Sequence, residues 1–163
     1  MNSVASNTLP AYLNNMTDLG SPVLDCQEMH IRFHDTVLID QPVQVGERGF
    51  IVSAISFGQP MIVLFVPDFN RMDCEKIGAK LSGHALLHHP HIVFVQIYNR
   101  KNATIGFYDA GKGCTEPDKE AYGAALVVGA ITHRLNRNVT FIQPDKKISA
   151  EWSEENNHVY INN

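Results

Sequence analysis

The chain has 163 residues, 44% hydrophobic and 18% charged, which suits one globular domain with a sizeable core. Thirteen Lys and Arg against 17 Asp and Glu give a formal charge of −4, so the chain has no overall basic field of the kind that tracks a phosphate backbone. Three cysteines, Cys26, Cys74 and Cys114, are too few and too scattered for a disulfide scaffold. No secretory signal opens the chain and no apolar run reaches membrane-spanning length, so it reads as soluble and cytoplasmic.

In chain order, residues 1–21 are rich in Asn, Ser and Thr and read as a flexible N-terminal arm, with residues 22–163 as a single domain. Val23–Leu24 and Met29–Leu38 look like short extended pieces. Gln44–Phe57 is a firm β signal, with a turn composition where Gly46 and Gly49 bracket Glu47 and Arg48, and Gly58-Gln59-Pro60 ends it. Met61–Val66 is a compact apolar strand. Asp73 caps a first helix whose apolar stripe holds Ile77 and Leu81. Ile92–Tyr98 and Ala103–Tyr108 read as an antiparallel pair, because only a few residues join them.

Gly111 opens a loop that runs through Pro117. A second helix over Lys119–Leu135 is apolar nearly all round, the mark of a buried helix; Gly123 and Gly129 interrupt it, and its small residues let strands wrap it closely. Three short strands close the chain: Val139–Ile142, Ile148–Trp152 and His158–Ile161. The expected fold is α+β, an antiparallel sheet curled around one buried central helix.

Few constellations carry chemistry. His84 and His88 stand at i, i+4, a spacing that suits two zinc ligands on a helix. No acidic residue completes a His-Glu-x-x-His arrangement and Pro90 breaks the run, so no metal site is expected. Cys114 lies beside Gly113 in a loop and would be reactive if its thiolate were stabilised; otherwise it is an ordinary free thiol. The helix start around Tyr122–Ala125 offers backbone N–H groups to an anion. Arg134, Arg137, Lys146 and Lys147 are close enough in sequence to gather into a basic patch across an oligomer.

From Val52 onward the chain resembles the second domain of the diaminopimelate epimerase family. Ser56-Phe57-Gly58-Gln59-Pro60-Met61 looks like that family's Gly-Asn-Pro-His turn. Tyr108-Asp109-Ala110-Gly111-Lys112-Gly113-Cys114-Thr115 looks like its Tyr-Glu-Arg-Gly-x-Gly-Glu-Thr motif. Ala121-Tyr122-Gly123-Ala124-Ala125 falls where Ala-Cys-Gly-Thr-Gly is expected, and Asn138–Tyr160 is similar throughout. The resemblance implies one of two similar domains that face each other across a cleft. It also implies cofactor-free chemistry in which one cysteine from each domain removes or returns the α-proton.

The chemical positions depart from that pattern. Tyr122 replaces the cysteine, Asp109-Ala110 the Glu-Arg pair, Cys114 the Glu, Gln59 and Met61 the Asn and His, His91 a further Asn, and Ala124 and Ala125 the Thr and Gly. The first domain has no counterpart in these 163 residues.

The resulting expectation is a non-catalytic, regulatory epimerase-like protein acting through binding, as a homodimer or higher oligomer through the face left by the missing domain or with another protein, and without cofactor, metal or membrane. Ligand-binding positions would be Gln59, His91, Gly123 and Ala124. One alternative is an altered isomerase or small-ligand domain with Cys114, Asp109 and Tyr122 around a remodelled pocket. Another is an oligomeric nucleic-acid-binding regulator that uses the basic patch.

Overall fold

The computed structural model describes residues 9–162. Among them lie ten strands and two α-helices. In chain order they are β1 (Thr17–Asp18), β2 (Gln41–Val45), β3 (Arg48–Ser56), β4 (Pro60–Phe65), α1 (Cys74–Ser82), β5 (His91–Asn99), β6 (Asn102–Asp109), β7 (Gly113–Thr115), α2 (Lys119–Ile131), β8 (Asn138–Ile142), β9 (Lys147–Trp152) and β10 (Val159–Ile161). One sheet runs β1-β10-β9-β8-β6-β5-β4-β3-β2, with β7 paired to β6. It is open, with β1 and β2 at its edges.

The α+β expectation holds, with one correction. The hairpins β2–β3, β3–β4, β5–β6, β8–β9 and β9–β10 are antiparallel, but β4 pairs parallel to β5 and β6 parallel to β8. A helix separates each parallel pair in sequence, α1 the first and α2 the second. Only a crossover of that length returns the chain to the same direction.

The two crossovers cover the two faces of the sheet. Ile55, Met61, Val63, Val93, Val95, Ile105 and Phe107 join α2 in one core cluster. The alternate residues, Val52, Ala54, Ile62, Leu64, Ile92 and Phe94, join Ile77 and Leu81 of α1 and Met29, Ile31 and Leu38 in another. Strands buried on both faces read as continuous apolar runs rather than alternating ones. That is why Met61–Leu64 and Ile92–Val95 are uniformly apolar.

Each helix starts at an acidic cap. The Asp73 carboxylate accepts from the Lys76 N–H at 3.0 Å, and that of Asp118 from the Ala121 N–H at 2.9 Å. Helix α2 is buried from Ala121 through Gly129. It stops earlier than expected, at Ile131. The Arg134 and Leu135 N–H groups both return to the Gly129 carbonyl, His133 takes a left-handed φ of 62°, and Leu135 folds back over Gly129. A Cβ at Gly129 would run into the Leu135 side chain, and one at Gly123 would lie 2.7 Å from Leu19 Cδ1.

Two other expectations change. Gly113–Thr115, expected as loop, pairs with Phe107–Asp109 as β7. Of the arm expected over residues 1–21, residues 1–8 lie outside the described residues. The remainder is part of the domain: β1 pairs with β10, Leu13 is buried, and Leu19 sits over α2.

Candidate functional site

The sheet gathers several of the singled-out positions at one end. Strand β4 begins just after Gln59, β5 begins at His91 in register with Met61, and β6 ends at Asp109. Gly58 holds the turn before Gln59 with a φ of 110°, and its N–H donates to Ser56 Oγ. Here His91 Nδ1 accepts from the Ala110 N–H at 3.0 Å, which places the neutral ring's proton on Nε2. Asp109 Oδ1 lies 3.9 Å from the same ring nitrogen and accepts from the Gly111 N–H at 2.8 Å. His91, Asp109 and Ala110 therefore form one local network. Gln59 is exposed on the neighbouring turn, while Met61 is buried.

The α2 positions do not join that network. Because the helix begins at Lys119, Tyr122–Ala125 lie beyond its first three N–H groups, and Asp118 fills the capping position. Tyr122, Gly123, Ala124 and Ala125 are all buried in the core, with Leu19 and Phe57 over Gly123. This corrects the expectation of free N–H groups at Tyr122–Ala125.

Tyr122 is 2% exposed, and its ring packs 5.3 Å from that of Phe141. Its hydroxyl is buried and, among the described residues, has no hydrogen-bond partner. Burial pushes the phenol above its ordinary value, the nearby Lys146 and Gln143 offset part of this, and Glu116 and Asp145 add to it. Gln143 is itself committed to Thr104 and Ile105. Burial therefore favours the neutral form of this phenol.

The cysteines are corrected most sharply. Cys114, expected as a free thiol, is joined to Cys74 in a disulfide that spans 40 residues of sequence. Cys74 opens α1 and Cys114 is the middle residue of β7. Glu75, next to Cys74, accepts from the Cys114 N–H at 3.0 Å and clamps the same junction. A disulfide sulfur has no thiolate and cannot act as a base. Cys26 is free and buried, and burial, with Asp25 and Asp35 nearby, pushes its thiol up. Nothing in the spacing of Cys74 and Cys114 announces their contact; it follows from packing α1 against the β6–β7 hairpin.

The histidines disperse. Helix α1 ends at Ser82, so His84 and His88 do not share a helix face. His84 Nε2 donates to the Gln44 carbonyl and its Nδ1 accepts from the Leu86 N–H, while His88 packs on His30. The basic residues are also engaged locally. Arg134 pairs with Asp40 at 3.0 Å and covers the Phe65 ring, Arg137 covers Trp152, and Lys146 meets Glu116 at 2.6 Å. Among the described residues no helix is long and apolar enough to cross a membrane.

The fold and this sheet end can be set beside known proteins. No protein-family model matches the chain. It is 29% identical over 145 residues to a diaminopimelate epimerase of Moorella thermoacetica, covering 88% of this chain and 52% of that protein. To the diaminopimelate epimerases of Desulfitobacterium hafniense and Trichodesmium erythraeum it is 27% identical, again over 88% of its length. The chain is diaminopimelate epimerase-like. It spans about half the length of the curated relatives it matches.

Proposed function

We propose that this epimerase-like domain does not move the α-proton and acts through binding. The observation that carries this reading is Tyr122. The resemblance puts a catalytic cysteine at that position, whereas here an enclosed phenol with a raised pKa packs on Phe141. The two cysteines of the resembling stretch, Cys74 and Cys114, are joined in a disulfide. A two-base inversion needs a proton-transferring group on each face of the substrate carbon, and at the matching place this domain has only the enclosed Tyr122 phenol.

We propose a second copy of the chain as its partner. The sheet is open at β1 and β2, and an open strand edge offers unpaired backbone groups to another chain. Light scattering on the purified 163-residue chain tests that part: a mass twice that of one chain supports it, and a single-chain mass at high micromolar concentration removes it. Chiral chromatography of diaminopimelate after long incubation tests the loss of catalysis. An unchanged stereoisomer ratio is expected, and conversion above a protein-free control would overturn the reading.

A further inference from the structure

At the other end of β4 from Gln59 lies a groove of about 630 Å³. Its floor is apolar: Leu64 and Ile77 are buried, and Phe50, Val66 and Met72 are half-buried. Ile51, 53% exposed, stands on its wall. An adjoining depression of about 390 Å³ shares Arg48, Phe50, Arg71, Met72 and Ile77 and adds Lys76 and Lys80. The two form one trough with an apolar bed and four cations along it.

The charges are not balanced from within. Asp68 and Asp73 are the acidic residues of the lining, and both carboxylates accept from backbone N–H groups, of Asn70 and Lys76 respectively. Arg71 meets Asp68 only at 3.6 Å with its own side chain 88% exposed. Among the described residues no carboxylate pairs with Arg48, Lys76 or Lys80. Arg48 instead lies 4.7 Å over the Phe50 ring.

Lys76 and Lys80 stand at i, i+4 on α1, where like charges repel. Lys76 also lies in the first turn, where the helix dipole disfavours a cation. A chain with a net charge of −4 thus carries a locally positive, strained arrangement around an apolar bed. An anionic occupant relieves both penalties.

The geometry points to an acidic peptide segment of a partner protein, one that lays a large apolar side chain on Phe50, Leu64 and Met72 and sets its carboxylates against Arg48, Arg71, Lys76 and Lys80. A peptide fits better than a small anion because the cations are spread along two joined depressions rather than gathered at one point. This inference rests on the proposal that the domain acts through binding, and it names the chemistry of what is bound.

Selection of phage-displayed random 12-residue peptides on the intact, oxidised protein tests it. Enriched peptides are expected to carry an excess of Asp and Glu around at least one Phe, Trp, Leu or Met. Their affinity, read by fluorescence anisotropy, is expected to fall about tenfold or more in Arg48→Glu/Lys80→Glu. It should also weaken as salt rises from 50 to 300 mM. The milder Arg48→Gln/Lys80→Gln pair, at exposed positions, guards against a folding artefact and should weaken binding in the same direction.

No enrichment over uncoated support, enriched peptides without acidic excess, or binding indifferent to both variants would each overturn the assignment. Stereoisomer conversion of diaminopimelate would end the binding proposal separately, without changing the peptide result.

Discussion

Cys74, the first residue of α1, is bonded to Cys114 in the middle of β7, so a crosslink ties the helix on one face of the sheet to the hairpin that leads into α2 on the other. Closing a loop of this length stabilises a fold by about 4 kcal/mol through the unfolded chain. Reduction, or Cys114→Ser, should lower the unfolding free energy in urea by about 2–4 kcal/mol. Mass spectrometry after alkylation without reductant should label Cys26 alone once the chain is unfolded. Labelling of all three cysteines would contradict the crosslink.

Disulfides persist in oxidising compartments, which bears on the cytoplasmic location expected from composition. In a reducing cytoplasm the pair would be a dithiol and the domain correspondingly less stable. Alkylation of the protein in cells before lysis reports which form is present.

Tyr122→Phe removes a buried hydroxyl that has no partner among the described residues. Leaving such a group unsatisfied costs about 1–3 kcal/mol, so the variant should be at least as stable as the parent by urea unfolding. Tyr122→Ala should lose about 3–5 kcal/mol, because the ring fills core space against Phe141.

The same residue sets a pH dependence. Its pKa is raised in the folded state, so the unfolded chain releases this proton first as pH rises. The contribution is therefore intact below about pH 10, the unfolded value, and is lost as pH climbs towards the folded one. Unfolding curves at pH 8 and 10.5 should show the parent losing more stability than Tyr122→Phe.

Gly129→Ala separates helix propensity from packing. In an open helix the change gains about 1 kcal/mol. Here the added methyl meets Leu135, folded back over the helix end. Thermal unfolding should show a net loss of about 1–3 kcal/mol. A gain would mean that Leu135 yields freely.

Much of the fold was legible because strands buried on both faces are apolar without interruption and because the caps are local. Met61–Val66, Ile92–Tyr98 and the Asp73 cap needed only neighbouring residues to be read, and the buried α2 followed from its all-round apolar surface. The parallel pairings were hidden because direction depends on where a crossover lands. The early stop of α2 was hidden because it depends on Leu135 turning back onto Gly129.

The altered chemical positions were visible as residue types, but their fates were not. Whether Tyr122 faces solvent or core, and whether Cys114 has a partner 40 residues away, are properties of packing. The cationic trough was equally invisible, since Arg48, Arg71, Lys76 and Lys80 come from a hairpin, a connecting turn and a helix.

We propose that this epimerase-like domain does not move the α-proton of an amino acid. The most direct measurement is deuterium incorporation at the α-carbon of diaminopimelate and other amino acids in deuterated water, followed by proton NMR. It should be run in parallel on the oxidised protein, on protein reduced with dithiothreitol, and on Cys114→Ser. The account predicts no exchange above the protein-free rate in any of the three. Exchange that appears on reduction and vanishes in Cys114→Ser would contradict it, and would show that catalysis had moved from the Tyr122 position to the thiol released from Cys74.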